Sequence, residues 1–168
     1  MPRLLTLALV IPISLSMAAC GKKKIDQLPP PPGGTAAETT TGAPSTIPGS
    51  QADFLQQMAG KDVIYFDTDR YNIDSADAEA LQRQAQWLLR YPGKRATIEG
   101  HCDERGTREY NLALGERRAN AAKNYLVSLG VDPSRLSVVS YGKERPVALG
   151  STESAWAQNR RAVTITIE

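Results

Sequence analysis

The chain of 168 residues contains one histidine and two cysteines, and no apolar run long enough to cross a bilayer. Each scarcity excludes something. Zinc draws three or four ligands from histidine, cysteine and carboxylates. His101 has no second histidine and Cys102 no second thiol at ligand spacing, so no metal centre is expected. A Gly-x-Ser-x-Gly elbow for an activated serine is missing, and no motif calls for a cofactor. Charge of one sign is scarce too: 20 basic against 18 acidic residues leave a net charge of +2. Nucleic-acid binders concentrate a basic face, so no nucleic-acid partner is expected. Neither an internal repeat nor a membrane β-barrel pattern is visible.

Three compositional zones are present. Arg3 precedes a largely apolar stretch, Leu4 to Leu15, and small residues lead to Cys20, the layout of a secretory signal peptide over 1–19. Cys20 after Met17-Ala18-Ala19 resembles the lipobox of bacterial lipoproteins, with Met17 where leucine is more usual. That resemblance implies cleavage before Cys20 and lipidation of its thiol, leaving Cys102 as a free, buried cysteine. Residues 20–50, rich in Pro, Gly, Thr and Ser, cannot bury enough surface to offset their ordering entropy and are expected to form a disordered tether. Thirty such residues reach about 100 Å when stretched and average roughly 30 Å as a coil.

From 51 to 168 the pattern is that of one folded domain. Helical turns over 53–58 lead into a β-branched strand, "DVIYF" (62–66). Asp74 or Ser75 caps a helix whose Ala78, Leu81, Ala85 and Leu88 form an apolar face, stopped by Tyr91-Pro92-Gly93. Residues 94–100 alternate as a half-buried strand. A long helix over 109–129, a strand over 136–141, a short helix over 153–158 and an alternating strand over 162–168 follow. The order predicts an α/β two-layer sandwich with helices on one face of a single sheet.

The densest chemistry lies in "GHCDERGTREYN" (100–111). His101 and Cys102 are adjacent at a strand end, so their side chains point to opposite faces and do not make a nucleophile pair. An enzyme working through them is nevertheless one alternative. Asp103, Glu104, Arg105 and Gly106 form a charged connection, and the next helix carries Asn111 and Arg118 two turns apart on one side. Leu112, Ala119, Ala122 and Leu126 mark its buried stripe, with Asn111 and Arg118 on the flank. Gly115 costs helix stability; it either leaves room for a ligand or eases packing. Asp103 with Arg118 makes either a dipolar site for a ligand bearing an ammonium and a carboxylate, or an internal salt bridge. The residues leave both open.

"VIYFDTD", "IEGHCDERGTREYNLALGERRANAAKNYL", "VVSYGKERP" and "AWAQNRRAVTI", in this order behind a lipobox, resemble the peptidoglycan-associated lipoproteins of the OmpA-like family over residues 62–168. The resemblance implies a four-stranded mixed sheet and no enzymatic activity. It further implies non-covalent binding of peptidoglycan through the meso-diaminopimelate of its stem peptide. Carried over by position, Asp103 and Arg118 hold the ligand, with Asn111 nearby and Phe66, Asp67 and Asp69 lining the groove. Cys102 departs from the usual alanine or threonine. An outer-membrane anchor at Cys20, with Gly21 fitting outer-membrane sorting, places the domain on the periplasmic face. Also implied are membership of the Tol–Pal system with TolB and TolA as partners and a part in cell division. A wall anchor outside that system is the remaining alternative. A stator or porin-type relative is disfavoured, because no transmembrane pattern precedes residue 51.

Overall fold

Alternation of small apolar and polar residues in the 94–100 segment makes a strand with one face for the core and one for solvent. The computed structural model describes residues 46–167 and places that strand, β2 (Arg95–His101), inside a four-stranded sheet. The other strands are β1 (Val63–Tyr65), β3 (Leu136–Gly142) and β4 (Arg161–Ile167). Their spatial order is β1-β4-β2-β3, with β2 and β3 parallel and β4 antiparallel to both β1 and β2. The sheet is therefore mixed. The proposed signal peptide, Cys20 and residues 20–45 of the proposed tether lie outside the described residues.

Folded structure begins ahead of Gln51. Ser50 N–H donates to the Ile47 carbonyl, Gly49 N–H donates to the Asp53 carboxylate, and the Ser50 hydroxyl caps α1 (Gln51–Met58). Helix α2 (Ser75–Arg90) starts with a reciprocal capping box between Asp74 and Asp77, which satisfies two backbone donors left over at any helix start. Helix α3 (Arg108–Ser128) is capped by Thr107, and α4 (Glu153–Asn159) by Thr152. A 3₁₀ turn over Pro133–Arg135, not anticipated from the sequence, leads into β3. Among the described residues no helix is long and apolar enough to cross a membrane.

The core lies between the sheet and the helices. Phe54, Leu81, Trp87, Leu88, Ile98 and Leu126 are fully or nearly fully buried there. Phe54 meets Trp87 edge-on with ring centroids 5.0 Å apart. Gln51 of α1 accepts from the Thr166 N–H and hydroxyl, and Gln84 of α2 accepts from the Thr164 hydroxyl. These bonds fix the helices on the face that carries Ala162, Thr164 and Thr166. The opposite face presents Tyr65, Glu99, His101, Val139 and Tyr141, following the pairing register and the two-residue side-chain period.

One contact sets how closely α3 lies on β2. Gly115 of α3 and Gly100 of β2 meet backbone to backbone, and a β-carbon at either position would collide with the other's main chain. What approaches Gly115 is the protein's own strand. Of the two meanings open for this glycine, close packing is the one observed. The stripe on α3 also differs from expectation. Asn111, Leu114, Gly115, Arg118, Ala119, Ala122 and Leu126 are buried, while Leu112 is only half-buried. Asn111 and Arg118 thus lie within the buried face rather than on its flank.

Candidate functional site

The Gly100–Gly115 contact brings the first half of α3 against the end of β2. Arg118, one turn beyond Gly115, faces the residues that follow the strand. Its side chain is completely buried, unusual for arginine. The guanidinium is held by three backbone carbonyls. Nε donates to Arg70 O at 2.9 Å, Nη1 to His101 O at 2.8 Å and Nη2 to Asp67 O at 3.0 Å. The Phe66 ring lies 5.2 Å from its central carbon. Burial lowers its pKa, with Cys102 and Asp103 acting the other way, and an arginine stays charged in proteins. A guanidinium carries five N–H groups, so the three carbonyls do not exhaust it.

Asp103 is also buried, and it does not pair with Arg118. Its Oδ1 accepts from the Arg105 backbone N–H at 3.1 Å and Nε at 3.0 Å, and Oδ2 accepts from Arg105 Nη2 at 2.7 Å. Arg160, the C-cap of α4, reaches Oδ2 with Nη1 at 3.4 Å. Burial works to raise the Asp103 pKa, but the hydrogen bonds from Arg105 and Arg160 prevail and hold it below the usual carboxylate range. The internal Asp103–Arg118 bridge left open by the sequence is therefore absent.

Both residues line one cavity of about 260 Å³, together with Asp69, Asn111, Arg105 and Tyr110. Asp69 adopts φ 55°, a conformation uncommon outside glycine, and accepts a hydrogen bond from the Tyr110 hydroxyl at 3.2 Å. Asn111 braces the loop: its Nδ2 donates to Arg105 O at 2.7 Å and Thr107 O at 3.0 Å. Two carboxylates and two guanidiniums thus surround a small space, a lining suited to a zwitterion.

Of the residues expected at the site, Asp69, Asp103, Asn111 and Arg118 come together. Phe66 and Asp67 instead line a neighbouring cavity of about 240 Å³ with Arg70 and Arg160. Their part in the first cavity is support, through the ring beneath Arg118 and the carbonyl that Arg118 engages. Arg105, Tyr110 and Arg160 were not expected. Arg105 and Tyr110 stand inside the charged stretch and were legible as neighbours. Arg160 carries no local signal, since it reaches Asp103 from 57 positions away.

His101 and Cys102 point to opposite sides, as their adjacency on a strand requires. The Cys102 thiol donates to Asn111 O at 3.3 Å on the helix side, and burial pushes its pKa up to about 11, which makes the thiol inert. His101 lies against Tyr141 with ring centroids 5.5 Å apart. No group of three potential metal ligands occurs among the described residues.

The OmpA family profile matches residues 65–160. A peptidoglycan-associated lipoprotein of Agrobacterium fabrum is 50% identical over 157 residues, which span 94% of this chain and 85% of the relative. One from Rhizobium meliloti is 52% identical over 158 residues, 94% of this chain and 85% of the relative. Among solved structures, the peptidoglycan-associated lipoprotein of Burkholderia pseudomallei superposes with a TM-score of 0.61 at 48% identity, covering 62% of this chain and 89% of that one. The C-terminal domain of Helicobacter pylori MotB shares the fold at 21% identity and a TM-score of 0.59, covering 63% of this chain and 84% of that one. The chain belongs to the OmpA family, among its peptidoglycan-associated lipoproteins.

Proposed function

We propose that this protein is a lipid-anchored outer-membrane tether that grips peptidoglycan non-covalently through the free end of meso-diaminopimelate. The observation that carries this reading is the shared cavity of Arg118, Asp103 and Asp69. A diaminopimelate end bears one ammonium and one carboxylate. The carboxylate meets what remains of the Arg118 fork, and the ammonium meets Asp103, with Asp69 beside it. Charge-assisted hydrogen bonds of this kind are the stronger ones. At about 260 Å³ the space is smaller than the roughly 300–1,000 Å³ of a drug-sized pocket. It admits the tip of a stem peptide and leaves the glycan outside.

The names of the relatives support a wall-binding lipoprotein. In this reading the acyl chains on Cys20 hold the periplasmic domain at the outer membrane, since two or more chains anchor stably where one binds marginally. TolB and TolA are its partners in the Tol–Pal system, which supports envelope integrity and cell division. The separation of His101 from Cys102 argues for binding over catalysis.

Co-sedimentation of the full chain with purified sacculi tests the binding. Asp103→Asn keeps the shape of the side chain and removes its charge, so retention should drop sharply while thermal unfolding stays cooperative. Unchanged retention contradicts the site. Copurification of TolB with the full chain from solubilised envelopes tests the partner.

A further inference from the structure

We propose that Arg105 is a built-in competitor: its guanidinium occupies the ligand ammonium's place on Asp103, and binding proceeds by exchange of one cation for the other. The inference rests on the diaminopimelate reading of the cavity and adds the residue that sets its selectivity for an ammonium.

A carboxylate offers about four acceptor sites. On Asp103, Arg105 takes three of them and Arg160 the fourth. An ammonium therefore finds no free acceptor there until one cation withdraws. Arg160 is not the one to withdraw. Its side chain is 6% exposed and is also committed to Phe66 O and to the Glu153 carboxylate, at 2.9 and 2.8 Å. The Arg105 side chain is 39% exposed, and its other contacts lie on the rim of the cavity. Nη2 donates to Thr68 Oγ1 at 3.2 Å, and the guanidinium carbon lies 4.2 Å from the centre of the Trp156 ring.

Release is local. Arg105 precedes Gly106, which sits at φ 85°, a conformation glycine takes at no steric cost. Its backbone N–H can stay on Asp103 while the side chain swings. Glu153 and Asp69 also attract the Arg105 charge, so the displaced guanidinium stays in a region of negative potential. A guest without a cation leaves the Arg105–Asp103 pair intact and gains nothing from Asp103. Arg105 thereby screens the stem peptide for a second amine.

The test compares the full chain with Arg105→Met, which keeps the stem against Trp156 and removes the charge. Calorimetric titration uses a diaminopimelate muropeptide and the same muropeptide acetylated on its free amine. Displacing a partly exposed ion pair is worth up to about a fivefold change in affinity. Arg105→Met should bind the free-amine muropeptide roughly three- to fivefold more tightly and the acetylated one unchanged. Arg105→Gln should show the same gain, so a packing defect in one variant does not decide the outcome. Weaker binding would make Arg105 a ligand contact and overturn the proposal, as would unchanged affinity. Equal tightening for both muropeptides would mean a steric flap and would also overturn it. Asp103→Asn, measured in parallel, separates the two readings. If it binds normally, the site falls and the competitor with it. If it binds weakly while neither Arg105 variant tightens, the competitor alone falls.

Discussion

Two polar side chains withdrawn from water flank the end of β2, and they are treated in opposite ways. On the helix side, Arg118 is 0% exposed and each of its nitrogens donates to a backbone carbonyl. On the open side, His101 is 2% exposed, and neither ring nitrogen has a hydrogen-bond partner among the described residues. Glu99 Oε2 lies 3.6 Å from Nε2, outside hydrogen-bond distance. Burial first, then the charges of Arg161 and Arg145, lower the His101 pKa to about 4. The histidine is kept neutral and serves as a packed ring beneath Tyr141. A buried charge survives only where the backbone has been arranged to receive it, and here that arrangement borders a cavity. Function is expected on the side with the organised carbonyls, not the side with the neutral ring.

Removing each side chain in turn should separate the two residues most strongly. Arg118→Met strands three carbonyls, and the fold should lose about 3–5 kcal/mol. His101→Phe replaces a neutral ring with an apolar one and should change stability by no more than about 1 kcal/mol at pH 7. Urea unfolding followed by circular dichroism measures both. Similar losses would show that His101 has polar partners of comparable weight.

Next in size is the contact that brings the two sides together. Gly115→Ala drives a methyl group toward the Gly100 carbonyl and the Ser140 hydroxyl. It should cost at least about 2 kcal/mol in the same assay and weaken sacculus binding, because Arg118 shifts with the helix.

The histidine also makes stability depend on pH. Unfolded, it titrates near 6.5; folded, near 4. The unfolded chain therefore holds more protons between these values. Stability contributed by neutral His101 is complete above about pH 6.5 and is lost as pH falls toward 4. The loss should be about 3 kcal/mol, and His101→Phe should flatten that part of the profile. An equally steep profile in the variant would remove His101 as its source. Smallest of all, Arg117→Ala alters an exposed residue beside Arg118 and should change stability by less than about 0.5 kcal/mol with sacculus retention unaltered.

Much of this was legible in the sequence because it is local. The alternation over 94–100 marked β2, the Asp74 cap and the Ala78–Leu88 spacing marked α2, and the crowding of charges after Gly100 marked the site. What was not legible depends on distance along the chain. Strand β4 inserts between β1 and β2, so Val63 pairs with Val163, and no short-range pattern encodes that choice. Hydropathy puts arginine outside, so Arg118 was assigned to the flank of α3. Its burial depends on carbonyls of Asp67, Arg70 and His101 that only the fold assembles. Gly115 signalled a close approach without naming the partner, which is Gly100. Phe66 and Asp67, which the resemblance places in the groove, line a neighbouring cavity.

In the proposed function, Asp103 and Arg118 jointly receive one zwitterionic amino-acid end. An NMR titration of the full chain with a diaminopimelate muropeptide tests this most directly. Saturable shifts are expected, confined to the amides of Asp69, Asp103, Arg105, Gly106 and Asn111 and the side-chain N–H groups of Arg118. Shifts centred on His101, Val139 and Tyr141 across the open face, with the Arg118 signals unmoved, would contradict it.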